Sequence, residues 1–265
     1  MAIHPTAVID PRAALHPEAE IGPFVVIEGP VQVGPRTRVL AHVTLMGRTQ
    51  IGADNVIHMG AVIGDAPQDM AFKEEDSYVR IGDGNTIREH AQIHRGTKPQ
   101  SGTVIGNNNY LMTNAHVAHN CTLGDNIIMA TGAVLGGYVE VEDQVFISGN
   151  CVVHQFVRLG RLSILRGLSR TSRDVPPFCI MDWTHTVRAI NRVGLRRAGF
   201  DAPRIRALQN AFSRLFRRSG NLGKALAEID SGPCSPDVRY MIDFIRASKR
   251  GVCTGPRFRG EQEET

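Results

Sequence analysis

Aliphatic residues recur every six positions along most of this chain. Counting from Ile3, the grid 3, 9, 15 and onward to 165 has 28 positions, and 25 of them are Ile, Leu, Val or Met. The exceptions are Asp69, Glu75 and Pro99. All hydrophobic types together make up 42% of the chain, so chance does not produce such a run. Neither the 3.6-residue period of a helix nor the two-residue period of a strand fits it. A solenoid does.

Small or turn-forming residues follow the grid residue in stretches such as "IGPFVV", "IGADNV" and "LGDNII". This predicts a left-handed parallel β-helix of hexapeptide repeats, mainly β, with three short strands per coil of roughly 18 residues. The segments 65–80 and 97–104 break the aliphatic run and read as loops thrown out of the coil. Beyond Leu165 the grid stops, "SRDVPPF" is a breaker, and the pattern turns helical. Asp201 and Pro203 read as a cap and first-turn proline ahead of Ile205, Leu208, Ala211, Phe212, Leu215 and Phe216, with Gly220 as the stop. Further helices are expected at 221–230 and 236–250, the latter closed by Gly251, with a frayed tail from Thr254. The expected domains are a β-helix over 1–174 and a small α-helical C-terminal domain over 175–265.

The 265 residues contain no apolar run long enough to span a membrane and no leader-like start, so no stable membrane insertion is expected. Five widely spaced cysteines without a Cys-x-x-Cys pair argue against a disulfide framework and fit a reducing, cytoplasmic location. The net charge is +4, but residues 157–218 hold fourteen arginines against three aspartates, with neither lysine nor glutamate. Such a stretch suits an acidic partner bearing phosphate or carboxylate, although a solvated face with scattered ion pairs is the plainer alternative. Sparse aromatics and the lack of a recognition motif argue against nucleic acid.

The stretch "NAHVAHNC" carries His116 and His119 three residues apart. On a helix they would share a face and could bind one metal; on a strand they would lie about 10 Å apart and point to opposite sides. No metal site is therefore expected. Adding 18 and 36 to position 119 places Gly137 and Gln155 at the same corner of successive coils, with His154 beside them. A neutral imidazole near an exposed glycine amide supplies a general base and an oxyanion donor, a constellation for acyl transfer. The alternative is a corner histidine that only hydrogen-bonds along the stack.

At these residues the chain resembles the family of acyl-carrier-protein-dependent UDP-N-acetylglucosamine O-acyltransferases that begin lipid A biosynthesis. The likeness runs through "IHPTAVI", "IGDAPQDM", "NTIREHAQIHRGT", "NAHVAHNC", "VVHQFVRLG", "RDVPPF" and "INRVGLRRAGF", over roughly residues 1–250. The resemblance implies a homotrimer with active sites between subunits, an acyl carrier protein as partner, a UDP-sugar acceptor and no cofactor, the 3-hydroxyacyl donor riding on the carrier's phosphopantetheine. It also implies that His119 is the general base and that the Gly137 amide stabilises the oxyanion. His116, His154 and Gln155 would line the sugar and acyl-pantetheine site, Gln68 and Asp69 would contact the sugar nucleotide, and Asn191 and Arg197 would lie around pantetheine or diphosphate. Gly167 would leave room for the acyl tail, with His185 near its end.

Four positions depart from the family's usual pattern. Ala71 stands where a lysine is usual, with Lys73 two residues on; Tyr138 replaces a histidine; Asn120 replaces an aspartate beside the base; and Ala198 replaces a basic residue, with Arg196 a substitute. These leave open N-acylation of an amino sugar nucleotide, a related acetyl-CoA-dependent transferase, or a sugar-nucleotide or carrier-binding homologue without catalysis.

Overall fold

A computed structural model describes residues 2–217 and 221–255. Among them, short strands form three sheets of eleven, nine and eight strands, parallel and taking every third strand of the chain up to the last two strands of the first sheet. The first sheet starts with Ala2–Ile3, the second with Val8–Ile9 and the third with Ala14–Leu15. Successive coils pair residues 18 apart, as in Ile3 with Ile21 and Leu135 with Val153. The protein is the left-handed β-helix that the six-residue grid predicts.

The grid forms the core because each two-residue strand can bury only one side chain per face of the prism. From Ile21 to Leu165 every aliphatic grid residue is at most 4% exposed. Ile3, at 41%, lies in the first coil, which has no coil above it. A second interior row lies two residues before each grid position, filled by smaller or hydrogen-bonding side chains such as Ala91, Thr103, Asn109, Ala115 and Cys121, all buried. Its polar members bond to one another: Asn85 donates to the Asn55 oxygen, and the Asn109 backbone donates to the Asn85 oxygen. Buried amides so satisfied cost little.

The two loops span 66–77 and 95–101 between flanking strands. They do not break the six-residue phase, because they lengthen their coils by whole hexapeptides: Ile57 pairs with Ile87, 30 residues on, and Ile87 pairs with Leu111, 24 on. The aliphatic grid ends at Leu165, yet the first sheet continues past residue 174 into Cys179–Asp182, which pairs in parallel with Ile164–Leu165. Thr186–Ile190 then adds an antiparallel strand that closes the sheet.

Among the described residues four α-helices follow: α1 (Arg192–Arg197), α2 (Ala202–Phe212), α3 (Leu222–Asp230) and α4 (Pro236–Arg246). Asp201 caps α2 as its sequence predicts, accepting from the Arg204 amide, and a π turn extends α2 to Arg217. The expected stop at Gly220 lies outside the described residues. The last helix ends earlier than expected, at Arg246 with Ala247 as its cap, and Gly251 instead has a φ of +73° in the following turn. That turn returns the chain to the β-helix: Asp174 N–H donates to Gly251 O, Cys253 N–H to Asp174 O and Val187 N–H to Thr254 O. Thr254 is therefore held in a bridge rather than frayed. Asp237 joins α4 to α2 by accepting from Arg204 at 2.8 and 3.0 Å, and the Tyr240 hydroxyl ties α4 to the coil by donating to Glu142 at 2.5 Å.

Candidate active site

His119 stands in a turn, not on a strand. The strand His116–Val117 ends before it, and the chain bends at 118–121 from the second sheet to the third. The strand argument that sent His116 and His119 to opposite sides therefore fails, since a turn resets the alternation. The two rings feel each other's charge, and His116 also packs on His94 with ring centroids 5.1 Å apart. Burial first, then these two neighbours, push the His116 pKa down to about 4, so it is neutral at physiological pH. Among the described residues no group of three or more His, Cys, Asp or Glu is placed to hold a metal ion.

The coil does stack His119, Gly137 and Gln155. All three occupy the turn position two residues after the grid, the position filled in early coils by Pro5, Pro11, Pro17, Pro23 and Pro35. Proline fits there because the N–H of this position is not needed by the ladder. At the His119 corner the same logic leaves an amide free: Gly136 N–H donates to Val153 O and Tyr138 N–H to His119 O, while no described residue accepts from Gly137 N–H. The His119 ring lies directly over Gly137, where a Cβ would sit 2.3 Å from Cε1. Only glycine lets the imidazole rest on the backbone beside that amide.

Hydrogen bonds define which ring nitrogen is free. Asn120 Oδ1 accepts from the backbone N–H of Thr97 at 3.0 Å, and Asn120 Nδ2 donates to Ser101 Oγ at 2.9 Å. The Thr97 N–H can only donate, so the amide oxygen faces that way. The same oxygen lies 3.0 Å from His119 Nδ1, which must then carry the proton and donate. Nε2 is left with its lone pair, as a general base requires. Asp69 Oδ2 lies 3.9 Å from that Nε2, bringing the first loop over the corner.

Two aromatic side chains form one wall. Tyr138 meets the His119 ring edge-on at 5.3 Å and stacks on Phe156 at 4.9 Å. Both sit at the last turn position with φ near +60°, which costs a bulky residue roughly 1–2 kcal/mol and is met elsewhere in the coil by Asn108, Asn114, Asn126 and Asn150. A groove of about 540 Å³ runs along this wall, lined by Asn120, Tyr138, Phe156, Arg158, Lys249 and Arg250 among others. Cys121, next to the base in sequence, is excluded as a nucleophile: it is fully buried, and burial pushes its thiol up to about 12.

The remaining expected site residues are spread more widely. His154 and Gln155 are exposed on the next coil, with Arg250 3.5 Å from His154 Nδ1. Gln68 and Lys73 are exposed on the first loop. Gly167 stacks on Gly149 at a different corner, where an added Cβ would meet only ordinary contact at 3.7 Å, so this chain's own packing does not demand a glycine there. His185 lies against Thr171 and Ser172, its pKa lowered by burial and then by Arg173 and Arg170. Asn191 is the buried N-cap of α1, accepting from Gly194 and donating to Leu162 O, while Arg196 and Arg197 are exposed in the last turn of that helix. None of these five has a hydrogen bond or ion pair to the His119 cluster among the described residues.

Thr97, Ser101, His94 and Phe156 also lie at this cluster and are not singled out by the sequence reading, although Thr97, His94 and Phe156 fall within its quoted motifs. The first three are hidden because the second loop lengthens its coil, so Gln92 stacks beneath His116 at a separation of 24 rather than 18.

A hexapeptide β-helix with a corner histidine over a free glycine amide defines an acyltransferase of the hexapeptide class. Residues 102–137 match the bacterial transferase hexapeptide family (six repeats), and residues 174–253 match domain 2 of UDP N-acetylglucosamine O-acyltransferase. The chain is 45% identical over 262 residues to the acyl-(acyl-carrier-protein)–UDP-N-acetylglucosamine O-acyltransferase of Synechocystis sp., covering 97% of this chain and 95% of that protein. It is 43% identical over 255 residues to the enzyme of the same name from Anaeromyxobacter sp., covering 95% and 99%. Among solved structures, the UDP-N-acetylglucosamine acyltransferase of Francisella novicida superposes with a TM-score of 0.92 at 34% identity over 96% of this chain and 95% of that one. That of Bacteroides fragilis gives 0.89 at 38% identity over 94% and 99%. The chain belongs to the UDP-N-acetylglucosamine O-acyltransferase family.

Proposed function

We propose that the protein transfers a 3-hydroxyacyl chain from acyl carrier protein to the 3-hydroxyl of UDP-N-acetylglucosamine, opening lipid A biosynthesis. The observation that carries this reading is the His119 ring lying on Gly137 with Nδ1 engaged by the Asn120 oxygen and the glycine amide free. His119 Nε2 takes the proton of the 3-hydroxyl as its oxygen attacks the thioester carbonyl. The tetrahedral oxyanion is stabilised by Gly137 N–H, an oriented donor that needs no reorganisation. Collapse expels the pantetheine thiolate, which recovers the proton from the imidazolium. No acyl-enzyme is needed, in keeping with the buried Cys121 thiol.

Asn120 does not by itself point to an amine acceptor. Its oxygen accepts from Nδ1–H as a carboxylate would, so the ring is held in the tautomer that an alcohol acceptor needs.

The active unit is a homotrimer in this reading. It draws support from Ile128, Phe146, Ile164 and Ile180, which form an outward, only half-buried apolar column on the first sheet, and from the unfilled space at Gly167. Gly167, His185, Asn191, Arg196 and Arg197, remote from His119 in their own chain, then serve a neighbour's base, and the arginine-rich stretch 157–218 receives the acidic carrier in the cytoplasm. His119→Ala lowers turnover with the carrier-bound donor by at least about 100-fold, the usual size of a general-base contribution. Activity retained in that variant would overturn the assignment, and a monomer in sedimentation would remove the shared site.

A further inference from the structure

Asn120 and Tyr138, two of the positions that depart from the family's usual pattern, are joined by a third residue. Thr97 Oγ1 lies 3.0 Å from Asn120 Oδ1 and 2.9 Å from the Tyr138 hydroxyl. Two oxygens at 3.0 Å need a proton between them. The amide oxygen of Asn120 has none, so Thr97 gives its own and is left to accept from Tyr138. Proton donation thus runs in one direction, from Tyr138 to Thr97 to Asn120, while His119 Nδ1–H donates to the same Asn120 oxygen.

The far side of the amide is also spoken for. Ser101 Oγ donates to Lys98 O at 2.8 Å, so its lone pairs face Asn120 Nδ2. Both ends of Asn120 are therefore defined, and the second loop supplies every partner other than His119 itself. A lone amide oxygen is a weaker anchor for an imidazole than a carboxylate, and donors aimed at it polarise it toward its acceptor role.

We propose that Thr97 and Tyr138 are positioning residues for the acyl transfer: the Thr97 hydroxyl, backed by Tyr138, adds a side-chain donor to the backbone donor already on the Asn120 oxygen and so tightens the hold on His119 in the Nδ1–H tautomer with Nε2 free. The proposal rests on the reading of His119 as the base. Other groups facing that ring are Asp69 at Nε2, His116 from its own coil and the Tyr138 ring edge; a change at Thr97 leaves the first two untouched and frees only the Tyr138 hydroxyl.

The test is steady-state kinetics across pH with the carrier-bound donor and UDP-N-acetylglucosamine. Thr97→Val is expected to lower kcat by about tenfold with KM for the sugar nucleotide unchanged, the scale of one lost hydrogen bond in the transition state. Thr97→Ser, which keeps the hydroxyl, restores kcat to within about threefold, and Tyr138→Phe costs about threefold. Because the three groups form one chain, Tyr138→Phe adds nothing further in the Thr97→Val background. Asn120→Asp moves the acidic limb of the kcat profile to higher pH, since a carboxylate stabilises the imidazolium, and shrinks the cost of Thr97→Val. A rise in KM alone, losses that add in the double variant, or an unshifted limb in Asn120→Asp would overturn the positioning role. An active His119→Ala would instead remove the base itself, whereas an inactive His119→Ala beside a Thr97→Val with the parent's kcat and pH profile would sink only the proposal.

Discussion

The coil corner at 118–121, 136–139 and 154–157 and the two loops at 66–77 and 95–101 build one site by different physics. At the corner, position follows from stacking: each coil is hydrogen-bonded to the next, so residues 18 apart must superpose, and His119 must lie over Gly137. The loops obey no such rule. They bring Asp69 to Nε2 and Thr97 and Ser101 to Asn120, and the contacts to Asn120 bear on the tautomer of the His119 ring rather than its place. The rigid part fixes where the imidazole sits, and the inserted part fixes which hydrogen bonds its Nδ1 side makes.

That division can be broken most sharply at Gly137. An added Cβ would meet the His119 ring, so Gly137→Ala displaces the base from the oxyanion donor and is expected to lower kcat by ~100- to 1,000-fold without loss of folded protein. Kinetics with circular dichroism checks this; a near-normal kcat would show that stacking does not place the base. Next in size is the coil's own stability. Leu135 is fully buried between Val117 and Val153, and Leu135→Ala is expected to cost about 2–5 kcal/mol in chemical unfolding. On the loop side, Lys73→Ala should change stability by less than about 0.5 kcal/mol, because that side chain is exposed. Comparable losses at the two positions would erase the distinction between scaffold and insert.

The smallest effect concerns protons on the coil. His116 is held below its ordinary value of 6.5, so the unfolded chain binds a proton more readily, and the stability His116 contributes is lost as pH falls from about 6.5 through about 4. An NMR titration should show a midpoint near 4; a midpoint at 6.5 or above would remove the half-buried His116 from its packing on His94.

The helical part gives a second view of what a sequence reveals. The Asp201 cap and the apolar spacing of Ile205 to Phe216 located α2, because capping and amphipathicity are local signals. The six-residue α1 lacks such a stripe and was legible only as the motif "INRVGLRRAGF". The end of α4 is not legible in the sequence, because Gly251 serves the returning turn and not the helix.

What the sequence determined by itself was everything that repeats. A six-residue grid implies coils, coils imply superposition at multiples of 18, and superposition implies His119 over Gly137 wherever the repeat is unbroken. Only the tertiary structure decided what sits between repeats. The second loop shifts vertical neighbours from 18 to 24, the turn sets His116 and His119 in one electrostatic neighbourhood, and Thr97 dictates which nitrogen of His119 holds the proton. Periodicity is written along the chain, whereas hydrogen-bond partners brought together by an insertion depend on where the loop lands.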